Sequence, residues 1–281
     1  MIRVQDMQFS YTKEPFIENM NFDVQNGEIF GFLGPSGAGK STLQKILTGL
    51  LTTYRGSVQV NGIEIKHRGN SFYENIGVDF EFPSLYEKLT ARENLNFFAS
   101  LYKKHQAIDP LLDSVGLLHD AGKKVSDFSK GMKSRLNFIK ALLHDPALLF
   151  LDEPTSGLDP SNAKRMKDII LQEKAKGKTI LLTTHNMYDA TELCSRVAFI
   201  VDGKLRALDT PRALIMSRGA ARVRYTYAVN GREEQKEITL DRTGEDDVLQ
   251  KLVQENRLLS IHSSEPTLND IFVELTGRLL Q

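Results

Sequence analysis

The chain has 281 residues, of which 41% are hydrophobic and 26% are charged, as is usual for a globular protein. Its 36 lysines and arginines balance its 36 aspartates and glutamates, and a formal net charge of zero argues against a protein that coats nucleic acid. The single cysteine, Cys194, and the absence of a secretion-like start predict a cytoplasmic protein. No apolar run reaches the roughly 18 to 20 residues that a membrane helix needs, so any membrane-spanning part would belong to a partner.

The predicted elements begin with short strands that lead into a glycine-rich loop. Alternating apolar residues predict strands near residues 2–4 and 22–24, and the run at 29–33 predicts a buried strand. After the glycines, four apolar residues recur at the spacing of one buried helix face: Leu43, Ile46, Leu47 and Leu50. Strand, glycine loop and helix therefore follow in order.

Helical patterns replace strand patterns from about residue 84 to 145, which predicts a helical insertion. Short apolar runs at 147–151 and 179–183 then flank a polar helical stretch at 162–176. This alternation is typical of parallel strands that are covered on both faces. We therefore expect residues 1–210 to form one α/β domain that contains the helical insertion.

Residues 211–281 are expected to form a small α+β domain. Alternating apolar residues at 223–229 predict a strand that runs into a hairpin turn at an Asn-Gly pair beginning with Asn230. Two helices are predicted, near 246–255 and after Thr267. The changed pattern predicts an accessory domain.

The glycine-rich loop matches the phosphate-binding pattern G-x-x-x-x-G-K-[ST] in the strand, loop and helix context that the pattern requires. Its residues are Gly34, Pro35, Ser36, Gly37, Ala38, Gly39, Lys40, Ser41 and Thr42. Backbone N–H groups and a helix N-terminus would surround phosphate, Lys40 would reach the β- and γ-phosphates, and the Ser41 hydroxyl would ligate Mg²⁺. A flexible glycine-rich turn is the alternative. The loop predicts that the chain binds a nucleoside triphosphate.

Two adjacent carboxylates follow the apolar run that ends at Leu151. Asp152 and Glu153 would emerge at the carboxyl end of a parallel strand, where open sheets bind ligands. We expect Asp152 to hold Mg²⁺ through its water shell and Glu153 to polarise the water that attacks the γ-phosphate. A solvated acidic loop before Pro154 is the alternative interpretation.

With these motifs placed, nearly all of the first domain resembles the ATP-binding subunit of an ABC transporter. The resemblance implies a P-loop NTPase core of ABC type, in which a parallel sheet is joined by antiparallel N-terminal strands and a helical insertion. A segment that begins at Phe128 stands where the family has its LSGGQ signature, with Lys130 and Met132 as departures. The family role implies that Ser129 and Gly131 bind the γ-phosphate of ATP held by a second subunit, and a helix N-terminus suits an anion.

Further positions match the family in order. Residues 156–159 match its D-loop, which crosses the dimer interface, and His185 stands at its switch histidine, which contacts the γ-phosphate. Tyr11 stands where the family has an aromatic ring that stacks on adenine. Glu81 replaces the glutamine that contacts Mg²⁺, and Asp79 is the competing candidate. A surface histidine and a strand-edge tyrosine are the plain alternatives at two of these positions.

The segment after Glu81 corresponds to the groove in which family members receive a helix of the membrane subunit. Phe82, Leu85 and Tyr86 are candidate apolar contacts there, or core residues of the helical insertion. The C-terminal stretch 264–277 is similar to the tail of one subgroup of these ATPases, which is associated with multidrug, antibiotic or lipid-type exporters.

The resemblance implies a Mg²⁺-dependent ATPase that powers transport, and the tail favours export, through separate integral membrane subunits. It would act as a homodimer, or as a heterodimer with a homologous subunit, on the inner face of the cell membrane, with no nucleic-acid partner. One alternative is a soluble ABC-type ATPase that acts on a ribosome or DNA, although such relatives usually carry tandem cassettes or long insertions. Another is a small-molecule kinase, in which the signature segment, the D-loop and His185 would have no role.

Overall fold

The structure is a computed structural model that describes residues 1–218, 222–229, 231–264 and 266–277. The chain divides into two compact units, Met1–Leu208 and Asp209–Gln281. The hairpin turn predicted at Asn230 lies outside the described residues. Over the described ranges, no helix combines the length and the apolar character that crossing a membrane requires.

The first unit contains strands β1 to β9 and all but the last residue of β10. They are β1 (Ile2–Phe9), β2 (Ile17–Val24), β3 (Ile29–Leu33), β4 (Tyr54–Val60), β5 (Ile63–Glu64), β6 (Ile76–Asp79), β7 (Leu148–Asp152), β8 (Thr179–Thr184), β9 (Arg196–Val201) and β10 (Lys204–Asp209). A four-stranded antiparallel sheet has the order β2-β1-β4-β5. A six-stranded sheet has the order β10-β9-β3-β8-β7-β6 and is parallel from β9 to β6.

The first unit, every residue of which is described, also contains seven α-helices. They are α1 (Lys40–Leu47), α2 (Asn70–Tyr73), α3 (Ala91–Ala99), α4 (Ile108–Ser114), α5 (Lys130–Leu142), α6 (Pro160–Ala175) and α7 (Met187–Leu193), with short 3-10 turns at Ile65–His67, Leu118–Asp120 and Val125–Asp127. Helices α3, α4 and α5 lie between β6 and β7, and every residue of β3, β7 and β8 is buried. The predicted α/β fold is confirmed.

A hydrophobic core joins the two sheets to α1. It takes fully buried side chains from each of them, including Met7 of β1, Phe32 of β3, Leu43 of α1, Val58 of β4 and Phe150 of β7. Burial of one such side chain contributes about 1.5 to 3 kcal/mol. The core therefore fixes β3 and α1, and with them both ends of the glycine-rich loop.

The prediction of one buried helix face after the loop is wrong at its last residue, Leu50. Leu43, Ile46 and Leu47 are fully buried, but α1 ends at Leu47 and Leu50 is 59% exposed. Gly49 has a φ of +77° and turns the chain away, and such a left-handed glycine is a common helix stop. A glycine two residues after the helix therefore removes Leu50 from the face that its spacing predicts.

The second unit contains a smaller antiparallel sheet. Its elements are α8 (Pro211–Arg218), β11 (Arg222–Val229), β12 (Arg232–Thr239), a 3-10 turn at Leu240–Glu245, α9 (Asp247–Gln254), β13 (Leu258–Ser264) and α10 (Leu268–Thr276). The strand order is β12-β11-β13. Tyr225 of β11 packs with Leu249 and Leu252 of α9, and its hydroxyl donates to Asp246, which caps that helix. This contact anchors α9 on the sheet.

Candidate active site

The glycine-rich loop occupies the turn between β3 and α1, and two of its glycines are required by the local geometry. A Cβ on Gly34 would lie 2.1 Å from the carbonyl oxygen of Ile200 on β9. Gly39, the N-cap of α1, has a φ of +108°, which side chains rarely tolerate. As a glycine, Gly39 offers the first turn of α1 no N-cap side chain. The turn therefore presents backbone donors at a helix N-terminus, as a phosphate site requires.

Lys40 lies at the start of α1 and folds back over the loop. Its Nζ donates to the carbonyl oxygens of Gly34, at 2.7 Å, and Pro35, at 3.0 Å. Burial lowers the pKa of the ammonium group, whereas the negative charges of Glu153 and Asp152, and more weakly of Glu81, raise it. The lysine charge therefore lies near three carboxylates. An anionic ligand could replace the loop carbonyls as the acceptor of its hydrogen bonds.

A cavity of about 230 Å³ opens beside this loop and gathers most of the predicted site. Its lining residues are Phe16, Ser36, Gly37, Gly39, Lys40, Ser41, Thr42, Glu81, Asp152, Glu153 and His185. All but Phe16 belong to the predicted site, although they come from four separate parts of the chain. The fold therefore brings phosphate-binding groups, carboxylates and a histidine to one place.

Asp152 and Glu153 reach this cavity from the end of β7, where the neighbouring strand β8 supplies their hydrogen-bond partners. Asp152 ends β7 and accepts a hydrogen bond from the Thr183 hydroxyl of β8. Glu153 follows with a left-handed φ of +51°, a conformation that is uncommon for glutamate. Its Oε2 accepts from the Thr184 hydroxyl at 3.1 Å, and its Oε1 lies 2.8 Å from Nδ1 of His185. Both oxygens of Glu153 are therefore held in place from β8 and its end.

Glu81 and Asp79 occupy different environments, although only one residue separates them. Glu81 is exposed and lines the cavity beside the phosphate loop. Asp79 is buried at the end of β6, where Asn137 of α5 donates to its Oδ1 at 2.5 Å. Burial raises the pKa of Asp79 to about 7. The structure therefore brings Glu81, and not Asp79, beside Lys40.

Three oxygen-bearing residues around the phosphate loop fit a magnesium ion by their chemistry. Ser41, Glu81 and Asp152 line the same cavity, and hydroxyl and carboxylate oxygens are the protein ligands that Mg²⁺ prefers. The described residues contain no cluster of three or more His, Cys, Asp or Glu that could cage a metal without other ligands. This set suits a Mg²⁺ that arrives with a phosphate ligand and keeps several waters.

Tyr11 lies next to the cavity but does not line it. Its hydroxyl is 2.9 Å from Oγ1 of Thr42, and the residue is 58% exposed. Its ring packs edge-on against Phe9 at 4.7 Å and lies 5.4 Å from Phe16. Phe16 is the one cavity residue that sequence patterns did not predict, because nothing distinguishes it from an ordinary loop aromatic. Tyr11 and Phe16 therefore place two aromatic rings at the edge of the cavity.

The signature segment lies at the start of α5. Ser129 caps the helix, because its Oγ accepts from the N–H of Met132 at 3.2 Å, and it is exposed. Neither Ser129 nor Gly131 is among the described residues that line the phosphate-loop cavity. Within one chain, the structure therefore does not bring these two residues to the phosphate loop.

Two aromatic residues after Glu81 are exposed and therefore do not belong to the core. Phe82 is 79% exposed and Tyr86 is 50% exposed, whereas Leu85 is half-buried. The Tyr86 ring packs against Phe97 of α3 at 4.9 Å. The segment after Glu81 therefore presents an apolar surface to solvent.

The chain is similar to known proteins over nearly all of its length. The sequence pattern of the ABC transporter family matches residues 17–156. The chain is 51% identical to a fluoroquinolones export ATP-binding protein of Mycobacterium tuberculosis, over 100% of this chain and 94% of that protein. It is 36% identical to the Nod factor export ATP-binding protein I of Rhizobium meliloti, over 97% of this chain and 87% of that protein. The solved structure of an ATP binding subunit of an ABC transporter superposes with a TM-score of 0.72 at 32% identity, over 77% of this chain and 92% of that one.

Proposed function

This chain belongs to the ABC transporter family, and from that premise we propose that it is the ATP-hydrolysing subunit that powers export through separate membrane-spanning subunits. One observation carries the proposal: Lys40, Ser41, Asp152, Glu153 and His185 line a single cavity at the carboxyl ends of β3, β7 and β8. The export ATP-binding proteins that the chain resembles favour export over import.

The phosphate loop would bind the β- and γ-phosphates of ATP. Lys40 would exchange its bonds to Gly34 and Pro35 for phosphate oxygens, and the N–H groups at the start of α1 would complete the site. Ser41, Glu81 and Asp152 would hold the Mg²⁺ that accompanies ATP, which when bound offsets negative charge on the phosphate oxygens. Tyr11 would contact the adenine ring beside Phe16.

Glu153 and His185 would carry the hydrolytic step. The Glu153 carboxylate would orient and polarise a water whose oxygen attacks the γ-phosphorus, while the bond to the leaving ADP breaks. His185 lies 2.8 Å from that carboxylate through Nδ1, and its imidazole would keep the glutamate in position. Because carboxylate and phosphate oxygens both accept, the ring would donate to Glu153 from Nδ1 and to the γ-phosphate from Nε2 at the same time only in its doubly protonated form.

The arrangement of Ser129 and Gly131 supports a dimer. Both lie at the N-terminus of α5, where Ser129 is exposed and Gly131 is half-buried, and outside the phosphate-loop cavity of their own chain. They would therefore reach the γ-phosphate held by a second subunit. In such a dimer, residues 156–159 would cross the interface. We assign ATP hydrolysis to residues 1–210, with residues 84–145 as its helical subdomain, and an accessory role to residues 211–281.

The exposed aromatic surface after Glu81 would receive the membrane subunit at the inner face of the cell membrane. A photoreactive residue at Phe82 tests this, with the same probe at Leu50 as the control, because both side chains are exposed, at 79% and 59%. We expect crosslinks from position 82, and not from position 50, to an integral membrane protein. Crosslinks from position 82 to ribosomal protein or DNA would contradict the proposal.

A further inference from the structure

A buried carboxylate on α7 connects three elements around the hydrolytic residues. Oδ2 of Asp189 accepts a hydrogen bond from the hydroxyl of Thr155 at 2.6 Å. Its Oδ1 lies 3.4 Å from Nζ of Lys167 on α6, a lysine that pairs more closely with Glu192. Asp189 is only 7% exposed, so its charge is compensated by these contacts and not by bulk water. The hydrogen bond therefore ties the turn after β7 to the first turn of α7.

The two residues joined by this bond stand close in sequence to the two hydrolytic residues. Thr155 follows Glu153 by two positions, and Asp189 lies in the helix that Asn186 caps directly after His185. Because His185 itself lies 2.8 Å from Glu153, the chain and its hydrogen bonds form a closed ring. The ring runs from Glu153 to Thr155, across to Asp189, back along the chain to His185 and again to Glu153.

A closed ring of this kind matters because Glu153 has an uncommon backbone conformation. Its φ of +51° persists only where the surrounding structure holds it. The N–H of Glu153 donates to the Thr183 carbonyl at 2.9 Å, which fixes the residue on the β8 side. The Thr155–Asp189 bond fixes the segment that follows it. Without that bond, local backbone contacts such as the one from the Ser156 N–H to the Glu153 carbonyl, at 3.0 Å, would have to hold the turn on this side.

We propose that Thr155 and Asp189 are positioning residues for ATP hydrolysis, which hold Glu153 and His185 at their mutual distance, with Lys167 balancing the Asp189 charge. The inference rests on the proposed function. Neither residue lines the phosphate-loop cavity, so their effect would fall on the rate of the chemical step and not on ATP binding.

The test compares three single variants of the full chain by MgATP turnover. Thr155→Val removes the hydroxyl and keeps the shape, whereas Thr155→Ser keeps the hydroxyl. Thr191→Val is the matched control, because the Thr191 hydroxyl donates within its own helix α7, to the Met187 carbonyl at 2.7 Å. We expect Thr155→Val to lower kcat by about 10- to 100-fold with KM for ATP within about twofold. Thr155→Ser and Thr191→Val should stay within about twofold of the unsubstituted chain.

A double-variant comparison separates positioning from general damage. If Thr155 and Asp189 act through one bond, Thr155→Val combined with Asp189→Ala should be no slower than the slower single variant. The proposal is overturned if Thr155→Val keeps full turnover, if Thr155→Ser is as slow as Thr155→Val, or if the two effects multiply. An unsubstituted chain that binds ATP but never hydrolyses it would instead refute the proposed function, and this inference with it.

Discussion

Nδ1 of His185 lies 2.8 Å from Oε1 of Glu153, although 32 positions separate these residues in the sequence. The parallel register of β7 and β8 explains the meeting, because Asp152 is paired with Thr183. The residues that follow each strand therefore emerge side by side at the same edge of the sheet. Sheet topology thus assembles a carboxylate and an imidazole next to the phosphate loop.

Lys40→Ala should abolish most ATP hydrolysis. The substitution removes the cation that faces the phosphates, and loss of one such preorganised group commonly costs about 10²- to 10³-fold in rate. Lys45→Ala is the matched control, since Lys45 lies on the exposed face of the same helix. Phosphate release and thermal melting are measured together. A folded Lys40→Ala chain with normal turnover would rule out the phosphate-loop assignment.

Substitution of Glu81 should change the Mg²⁺ dependence of turnover. Glu81→Gln keeps a carbonyl oxygen that can ligate the metal, so we expect a moderate rise in the Mg²⁺ concentration at half-maximal rate. Glu81→Ala should raise it further. Asp79→Asn is the control for the alternative ligand, because Asp79 is buried against Asn137. The same ranking at Asp79, with Glu81 tolerant, would transfer the metal role to Asp79.

The stability of the chain should depend on pH through Asp79. Burial raises its folded-state pKa from 3.8 to about 7, Lys140 and Asn137 oppose this rise, and Asp152 adds to it. The contribution of Asp79 to the free energy of unfolding is therefore complete below about pH 3.8 and is lost as pH rises through about 7. The melting temperature of Asp79→Asn minus that of the unsubstituted chain should therefore increase from pH 5 to pH 8.5.

Asp113→Asn is the control for that pH series, because Asp113 is an exposed carboxylate on α4. Its melting temperature should track that of the unsubstituted chain throughout. Parallel curves for Asp79→Asn and the unsubstituted chain would show that Asp79 is ionised in the folded protein at pH 5.

Glu153→Gln should trap a dimer in the presence of MgATP. ATP would join the phosphate loop of one chain to Ser129 of another until the γ-phosphate leaves, and the variant slows that departure. Size-exclusion chromatography with MgATP and with MgADP measures this, and only ATP should shift the elution. Double substitution with Ser129→Ala should weaken the dimer. An unchanged monomer peak at high concentration would count against a homodimeric sandwich and favour pairing with a homologous chain.

Sequence patterns predicted the buried strands β3, β7 and β8, because short continuous apolar runs such as those of β7 and β8 are typical of parallel strands that are covered on both faces. The buried strand β9 was not predicted. The ends of helices were harder to predict. Leu50 fits the helical spacing, but Gly49 ends the helix first through its left-handed conformation. Strand β13 and helix α8 were not predicted, because β13 has mostly exposed residues with little alternation and α8 is short.

The site was predictable where a motif is contiguous and less so where it depends on tertiary contacts. The phosphate loop and the pair Asp152 and Glu153 could be placed from local spacing alone. The distinction between Glu81 and Asp79 required the fold, because the burial of Asp79 by Asn137 is a contact across 58 positions. The Thr155–Asp189 bond has no sequence signal at all.

Phosphate release by the purified chain, measured with MgATP for the unsubstituted chain and for Glu153→Gln, tests the central claim most directly. ATP binding is followed in the same samples. The account predicts that Glu153→Gln binds ATP normally and hydrolyses it about 10²- to 10⁴-fold more slowly, the contribution expected of a positioned acid or base. Equal rates of phosphate release from the two proteins would contradict the assignment of hydrolysis to this cavity.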